Sequence, residues 1–386
     1  MASLRNRHAH HYLALAQEAE PHLLGPASPP WLVRLQAERD NFRAALEWAF
    51  GPAGDEGLGV RLVACLWHPW DVRGARGEGL HWVHTALRAI RPDSSPDRLP
   101  LLSAGALLHL GRAEFTEVAA LAGEQLALAR ATGASAWEGD ALALTATVAW
   151  ARNEFDRAQH LYEDAVAASL SGGDRWRAAL AEAQLARLHH DRDEPDAARS
   201  VIMSALRHAE EVGEHLARGL AVDVLASLEH RWGDVVVAAR LMDEALEHYR
   251  AVGYREGEAS ALQLAGRIAL SSGELGRARE AFEEALELCR RIGHRSGSAT
   301  ALEGMATVAA VAGEDDLALL LLGAASALRT EIGIPLAGSA LTHRLREQDR
   351  LTARLGPADA ARALRWGAGL PLPALLEEAR KRQGRA

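Results

Sequence analysis

The chain has 386 residues, 48% of them hydrophobic and 25% charged, enough to bury a large core and stay in solution. Its formal charge of −9 disfavours non-specific attraction to phosphate backbones. Lys381 is the only lysine, which excludes a GxxxxGK[ST] phosphate loop, a kinase lysine pair and a Schiff-base lysine.

No apolar run is long enough to span a membrane, and "MASLRNRHAHHY" lacks the apolar core of a signal peptide. Cys65 and Cys289 lie far apart and make no disulfide framework. The expected compartment is the reducing cytosol, with both cysteines as buried thiols.

Residues 1–92 read as an N-terminal helical region. Ser28-Pro29-Pro30 enters a helix whose apolar positions include Leu32, Leu35, Phe42, Leu46 and Trp48. "WHPWDVRGARGEGLHWVHTALR" reads as a helical hairpin, with Gly74 at its turn and Gly79 as a small packing residue. Trp67, Trp70 and Trp82 cluster there; the i, i+3 spacing of the first two favours core packing over an interface anchor. "RPDSSPDRLP", residues 91–100, holds three prolines and reads as a linker.

From residue 98 to 340 the chain repeats every forty residues. Glycine recurs at Gly133, Gly173, Gly213, Gly253, Gly293 and Gly333. A second register holds Asn153, Asp193, Gly233, Gly273 and Gly313, and a third Ala158, Ala198, Ala238, Ala278 and Ala318. A fourth holds Ala165, Ala205, Ala245, Ala285 and Ala325, and a fifth Ala146, Ala186, Ala226, Gly266 and Ala306.

Between these markers the apolar spacing is helical, as at Leu241, Ala245, Leu246 and Tyr249. Each unit is therefore a helical hairpin. Helix A carries the fifth register, the second is the turn, and helix B carries the third and fourth. Turn positions want residues that accept left-handed backbone angles. Crossing positions want small residues, because two helices approach closely only where neither presents a long side chain. Ala146 should face Ala158 within a hairpin, and Ala165 the next hairpin. The first unit, with Ala106, Ala113 and Gly133, is degenerate.

Residues 341–386 read as capping helices. "LTHRLREQDRLTARLG" is charged and helical, Gly356-Pro357 starts a helix, and another begins near Pro373. The basic tail of Arg380, Lys381, Arg382 and Arg385 reads as a frayed helix end.

The offsets of Ala226, Ala238 and Ala245, with Gly233 between, resemble the tetratricopeptide repeat, whose usual unit is thirty-four residues. A forty-residue unit calls for longer helices or a longer linker. The fold expected is all-α, a right-handed superhelical solenoid of helix-turn-helix repeats with capping helices. The ends, "RHAHHYLALAQEAEPHLLGPASPPWLVRLQAERDNFRAALEWAF" and "LALLLLGAASALRTEIGIPL", are similar to the C-terminal sensory regions of large bacterial signal-transduction ATPases of the LuxR and antibiotic-regulator type. The ATPase and DNA-binding modules of that family are absent from this sequence. The chain is thus a fragment or standalone relative, or those modules are partner proteins.

The resemblance to the tetratricopeptide repeat implies a concave groove lined by the A helices. By register it would include Asp140, Thr147, Trp150, Arg187, His190, Asp223, Ser227, His230, Gln263, Arg267, Glu303 and Thr307. Arginines beside scattered acceptors suit a peptide or an acidic partner segment; a hydrated polar face with no ligand is the plain alternative.

His8, His10 and His11, and His81 with His84, lack the further ligands a zinc site needs. No GxSxG, HExxH or strand-borne GxGxxG occurs. The expectation is a non-catalytic scaffold without cofactor or metal, binding a protein or peptide partner or a small-molecule effector, with no direct nucleic-acid or membrane binding. Its role would be the regulatory module of a bacterial transcription regulator. An assembly adaptor joining two proteins is the alternative, and an enzyme with its site in the groove is a third.

Overall fold

Alanine, leucine, glutamate and arginine lose little on entering a helix, and with glycine or a short polar residue at each turn they leave the chain few other choices. The structure is a computed structural model that describes residues 2–23, 26–90, 98–332, 336 and 338–383. Its described residues form helices joined by tight turns, with no strand among them.

Five helices open the chain: α1 (Ala2–Leu23), α2 (Ser28–Ala37), α3 (Arg39–Ala49), α4 (Glu56–Val72) and α5 (Arg76–Ala89). Pro29 and Pro30 sit in the first turn of α2, where missing N–H groups cost nothing. The single helix expected after them is two, broken at Glu38, which ends α2 and precedes α3. Leu32, Leu35, Phe42 and Leu46 are buried, whereas Trp48 is half-exposed. Gly74 takes the left-handed turn between α4 and α5 at φ +73°. A Cβ on Gly79 would lie 2.9 Å from Leu108 and 3.0 Å from Trp70, so a larger residue there would have to displace its neighbours.

Six helix pairs follow in chain order. They are α6 (Arg98–Leu110) with α7 (Phe115–Thr132), α8 (Ser135–Ala151) with α9 (Phe155–Ser171), and α10 (Arg175–Asp191) with α11 (Pro195–Val212). Then come α12 (His215–Trp232) with α13 (Val235–Val252), α14 (Arg255–Ser271) with α15 (Leu275–Ile292), and α16 (Arg295–Val311) with α17 (Asp315–Glu331). The chain ends in α18 (Gly338–Leu355), α19 (Pro357–Gly369) and α20 (Leu372–Gln383).

Arg98 to Pro100 of the expected linker already belong to α6; residues 91–97 lie outside the described residues, as does Gly333. The forty-residue period comes from helix length: α8 to α17 are 17 or 18 residues each, joined by turns of two or three residues.

The registers have the predicted physical meaning. Asn153, Asp193, Gly273 and Gly313 adopt left-handed angles of +61°, +63°, +76° and +80°. Gly133, Gly213 and Gly293 do the same as C-caps of α7, α11 and α15. All five alanines of the third register and all five of the fourth are 0% exposed. Ala146 and Ala158 share one apolar cluster, and Ala165 shares another with Ala181 of the next pair.

A further register escaped the sequence reading. Tyr162, Ile202, Met242, Phe282 and Leu322 are forty apart and buried, each one turn after a small residue of helix B. Where this slot holds its bulkiest apolar ring, the A helices give way. Cβ atoms on Gly266 and Gly304 would both press on Phe282, the first at 2.7 Å, so the ring packs directly on the two glycines.

The chain divides into two compact units. The first comprises residues 1–232 and 247–254, the second residues 233–246 and 255–386. In the second, α19 docks on α17 through reciprocal glycines. A Cβ on Gly367 would lie 2.7 Å from the carbonyl carbon of Leu320, and one on Gly323 2.9 Å from that of Leu364. Cys65 and Cys289 are buried thiols, and burial pushes Cys289 up to about 11. No described helix is long and apolar enough to cross a membrane.

Candidate functional site

Alternate helices of the first unit, α4, α6, α8, α10 and α12, converge on a cavity of about 160 Å3. These are the first helices of successive pairs. Their i, i+3, i+4 spacing turns one stripe of each toward the cavity: Leu107 and Leu110 from α6, Leu144 from α8, Leu180 from α10, and Leu216 and Leu220 from α12. Trp67 of α4 reaches Trp176 of α10 edge-on, with ring centroids 6.5 Å apart, and together they pack beside Leu180. Trp67 is therefore half-buried at a cavity wall, whereas Trp70 and Trp82, each 7% exposed, are core as expected.

Polar groups at the cavity are mostly tied to one another. Asp140 accepts from Gln125 at 2.7 Å and from Arg177 Nε at 3.1 Å. Arg177 also bonds Asp174 and lies over the Trp137 ring at 4.1 Å. Burial works against its charge, but Asp140 and Asp174 outweigh that and hold its pKa above the usual arginine value. Asp71 is bonded by Arg76 at 2.8 Å. Thr147 Oγ1 meets the Tyr162 hydroxyl at 2.8 Å, and burial raises that phenol's pKa. Behind the wall, Trp176 Nε1 donates to the fully buried Glu214 at 3.0 Å. Burial raises the Glu214 pKa, while the amides of Leu216 and Ala217 and the indole N–H oppose the rise.

His68 is the exception. It is 2% exposed and lines the cavity, yet neither ring nitrogen has a hydrogen-bond partner among the described residues. Burial pushes its pKa down to about 4, so the ring is neutral at pH 7.

The residues predicted from register separate by unit. In the first, Asp140 and Thr147 line the cavity, and Trp150 packs on the cluster around Tyr162. Arg187 lies 3.5 Å from Asp223, which accepts from Tyr249 at 3.3 Å. The His190 ring leans on Trp232 with centroids 5.2 Å apart, and Ser227 and His230 are half-exposed. In the second unit, Gln263 is 8% exposed and donates to the Gly297 carbonyl at 3.0 Å, a tie between helices. Arg267 is exposed. Glu303 accepts from Arg329 at 2.7 and 2.8 Å, with Arg344 at 3.8 Å, and Thr307 bonds the Glu303 carbonyl. Sequence reasoning missed His68, Trp67 and Arg177 as cavity residues.

Such an arrangement offers apolar surface, aromatic edges and hydrogen bonds. Among the described residues no group of three histidines, cysteines or carboxylates is placed to hold a metal.

Residues 221–291 match the family model of the tetratricopeptide repeat, which supports reading the helical hairpins as an array of that type. No curated protein matches the chain. Many solved structures have a similar fold, and two of them cover most of this chain. One is a Rap protein complexed with Competence and Sporulation Factor, 12% identical, with TM-score 0.54, covering 84% of this chain and 99% of that one. The other is the APC/C hetero-tetramer Cut9–Hcn1, 14% identical, with TM-score 0.55, covering 83% of this chain and 58% of that one. The likeness establishes an all-α helical repeat solenoid.

Proposed function

We propose that the chain is a non-catalytic scaffold that binds a protein, peptide or small-molecule signal on its A-helix surface, as the regulatory module of a bacterial transcription regulator. The carrying observation is the convergence of five alternate helices on one apolar, aromatic-edged cavity with polar side chains beside it. Binding sites are concave and mostly apolar with a few placed polar groups.

Supporting the protein-binding part, the Rap structure holds Competence and Sporulation Factor, and Cut9–Hcn1 is a hetero-tetramer. The proposed contact residues are Asp140, Thr147, Trp150, Arg187, His190, Asp223, Ser227 and His230 in the first unit. In the second they are Gln263, Arg267, Glu303 and Thr307. Arg187, 41% exposed, and Arg267 reach the surface, whereas Asp140 and Gln263 would hold neighbouring groups in place.

The test is gentle affinity purification from the native cell, with mass spectrometry of bound proteins and small molecules. Recovery of an ATPase or DNA-binding protein by the wild type, lost in Arg187→Ala/Arg267→Ala, is the expected result. Recovery unaffected by those substitutions would refute the assignment of the surface.

A further inference from the structure

The second unit holds a larger cleft, of about 330 Å3, apart from the A-helix surface. Its origin lies in the cap. Gly367 lets α19 press closely on α17, but the backbone turns extended at Leu370 before α20 begins. The gap left against α15, α16 and α17 has aliphatic walls. They include Leu302 of α16, Ala327 and Leu328 of α17, and Leu370, Leu372 and Leu375 around the start of α20. Leu328, Leu370 and Leu372 stay half-exposed there, so folding leaves apolar surface uncovered. Among the described residues no aromatic side chain lines the cleft.

Charge is confined to the mouth and is unbalanced. Arg290 and Arg295 line it, 47% and 49% exposed, against the single carboxylate of Glu331. Arg295 pairs with Glu331, and Arg290 pairs with Glu287. Glu287 also lies 3.4 Å from Arg291 and feels the charge of Arg380. Four arginines thus share two carboxylates, in a chain whose formal charge is −9. A guanidinium carries five N–H donors, so these ion pairs leave donors over for an incoming anion. Cys289 in the floor adds no negative charge, because burial keeps it a neutral thiol. The volume limits the occupant. An apolar cavity of about 150 Å3 holds one benzene, so 330 Å3 holds about thirteen non-hydrogen atoms.

We propose that this cleft binds a medium-chain aliphatic carboxylate, of the size of octanoate or decanoate. Its alkyl chain lies against the leucines and its carboxylate meets Arg290 and Arg295. The site is separate from the A-helix surface and does not depend on the partner proposed for it.

The experiment is calorimetric titration of the full chain with decanoate, octanoate and octanamide, a neutral molecule of octanoate's shape. Octanoate should bind about tenfold more tightly than octanamide, the value of a charge-assisted hydrogen bond at a half-exposed site. Its affinity should fall as salt rises, and that of octanamide should not. Decanoate should bind more tightly than octanoate, because its longer chain buries more apolar surface. In Arg290→Gln/Arg295→Gln the preference for octanoate should vanish while octanamide still binds. Ala327→Trp, which fills the cleft from its half-exposed wall, should abolish binding of all three. Should either variant fail to fold, the octanoate-to-octanamide ratio of the wild type still decides.

Equal binding of octanoate and octanamide by the wild type would overturn the proposal. So would absence of decanoate binding at about 5 mM, a very weak affinity. Decanoate affinity unchanged in a folded Ala327→Trp would also overturn it, by placing the carboxylate elsewhere on the chain.

Discussion

Replacing Gly367 by alanine should unseat the C-terminal cap. Alanine is normally the better helix former, by about 1 kcal/mol. At this crossing the added methyl would overlap the Leu320 carbonyl oxygen outright and lie 2.7 Å from its carbon. Ordinary carbon contacts lie near 3.5–4.0 Å, so α17 and α19 must part by about 1 Å. Gly323 closes the other side of the crossing against Leu364, so sliding one helix along the other gives no escape.

Overpacking of this kind costs about 1–3 kcal/mol, which exceeds the propensity gain. Taking the middle of that range less the propensity gain, a net loss of about 1 kcal/mol corresponds to a fall of about 2–4 °C in the melting temperature of a unit this size. Urea and thermal unfolding by circular dichroism would read it, and amide hydrogen exchange would place the loosening in α19. Gly276→Ala is the control: nothing lies within 4 Å of its Cβ, so it should be neutral or stabilising by about 0.5 kcal/mol. Equal effects of the two substitutions would refute the close crossing.

Four further outcomes follow from the geometry. His68 has a folded pKa of about 4 against an ordinary 6.5, so protonation favours unfolding. Its contribution is complete above pH 6.5 and lost as pH falls to 4, a difference of about 3 kcal/mol that urea midpoints should show in the wild type and not in His68→Leu. Ala113 occupies the turn of the degenerate first pair at φ +58°, so Ala113→Gly should stabilise by about 1 kcal/mol in the same assay. Trp176→Phe leaves the buried Glu214 carboxylate without its indole donor and should cost about 1–3 kcal/mol. Arg187→Ala should change stability by no more than about 0.5 kcal/mol while weakening partner capture.

The repeat was legible because its constraints are local. A left-handed turn needs glycine, asparagine or aspartate at one position, and a helix crossing needs alanine at another, so both recur in register. Ala113 kept the turn and lost the signal, which is why the first pair read as degenerate. The Phe282 slot was hidden because any bulky apolar side chain satisfies it and its size is matched elsewhere, at Gly266 and Gly304.

The cavity had no local signature. Trp67 and Trp70 share one helix and the spacing of a core stripe, but Trp67 meets Trp176, more than a hundred residues away. Whether a tryptophan fills a core or walls a cavity depends on that distant helix, which no period encodes. His68 gives no hint in sequence that its nitrogens will be left unbonded. Gly323 and Gly367 look like poor helix residues until the facing backbone is known.

The most direct test of the binding surface is amide hydrogen exchange on the full chain, alone and with the partner captured through Arg187 and Arg267. Protection is predicted on the A helices of the first unit, α8, α10 and α12 above all, with α9 and α11 unchanged. Protection confined to α9 and α11 would contradict the account and move the binding surface to the opposite face of the array.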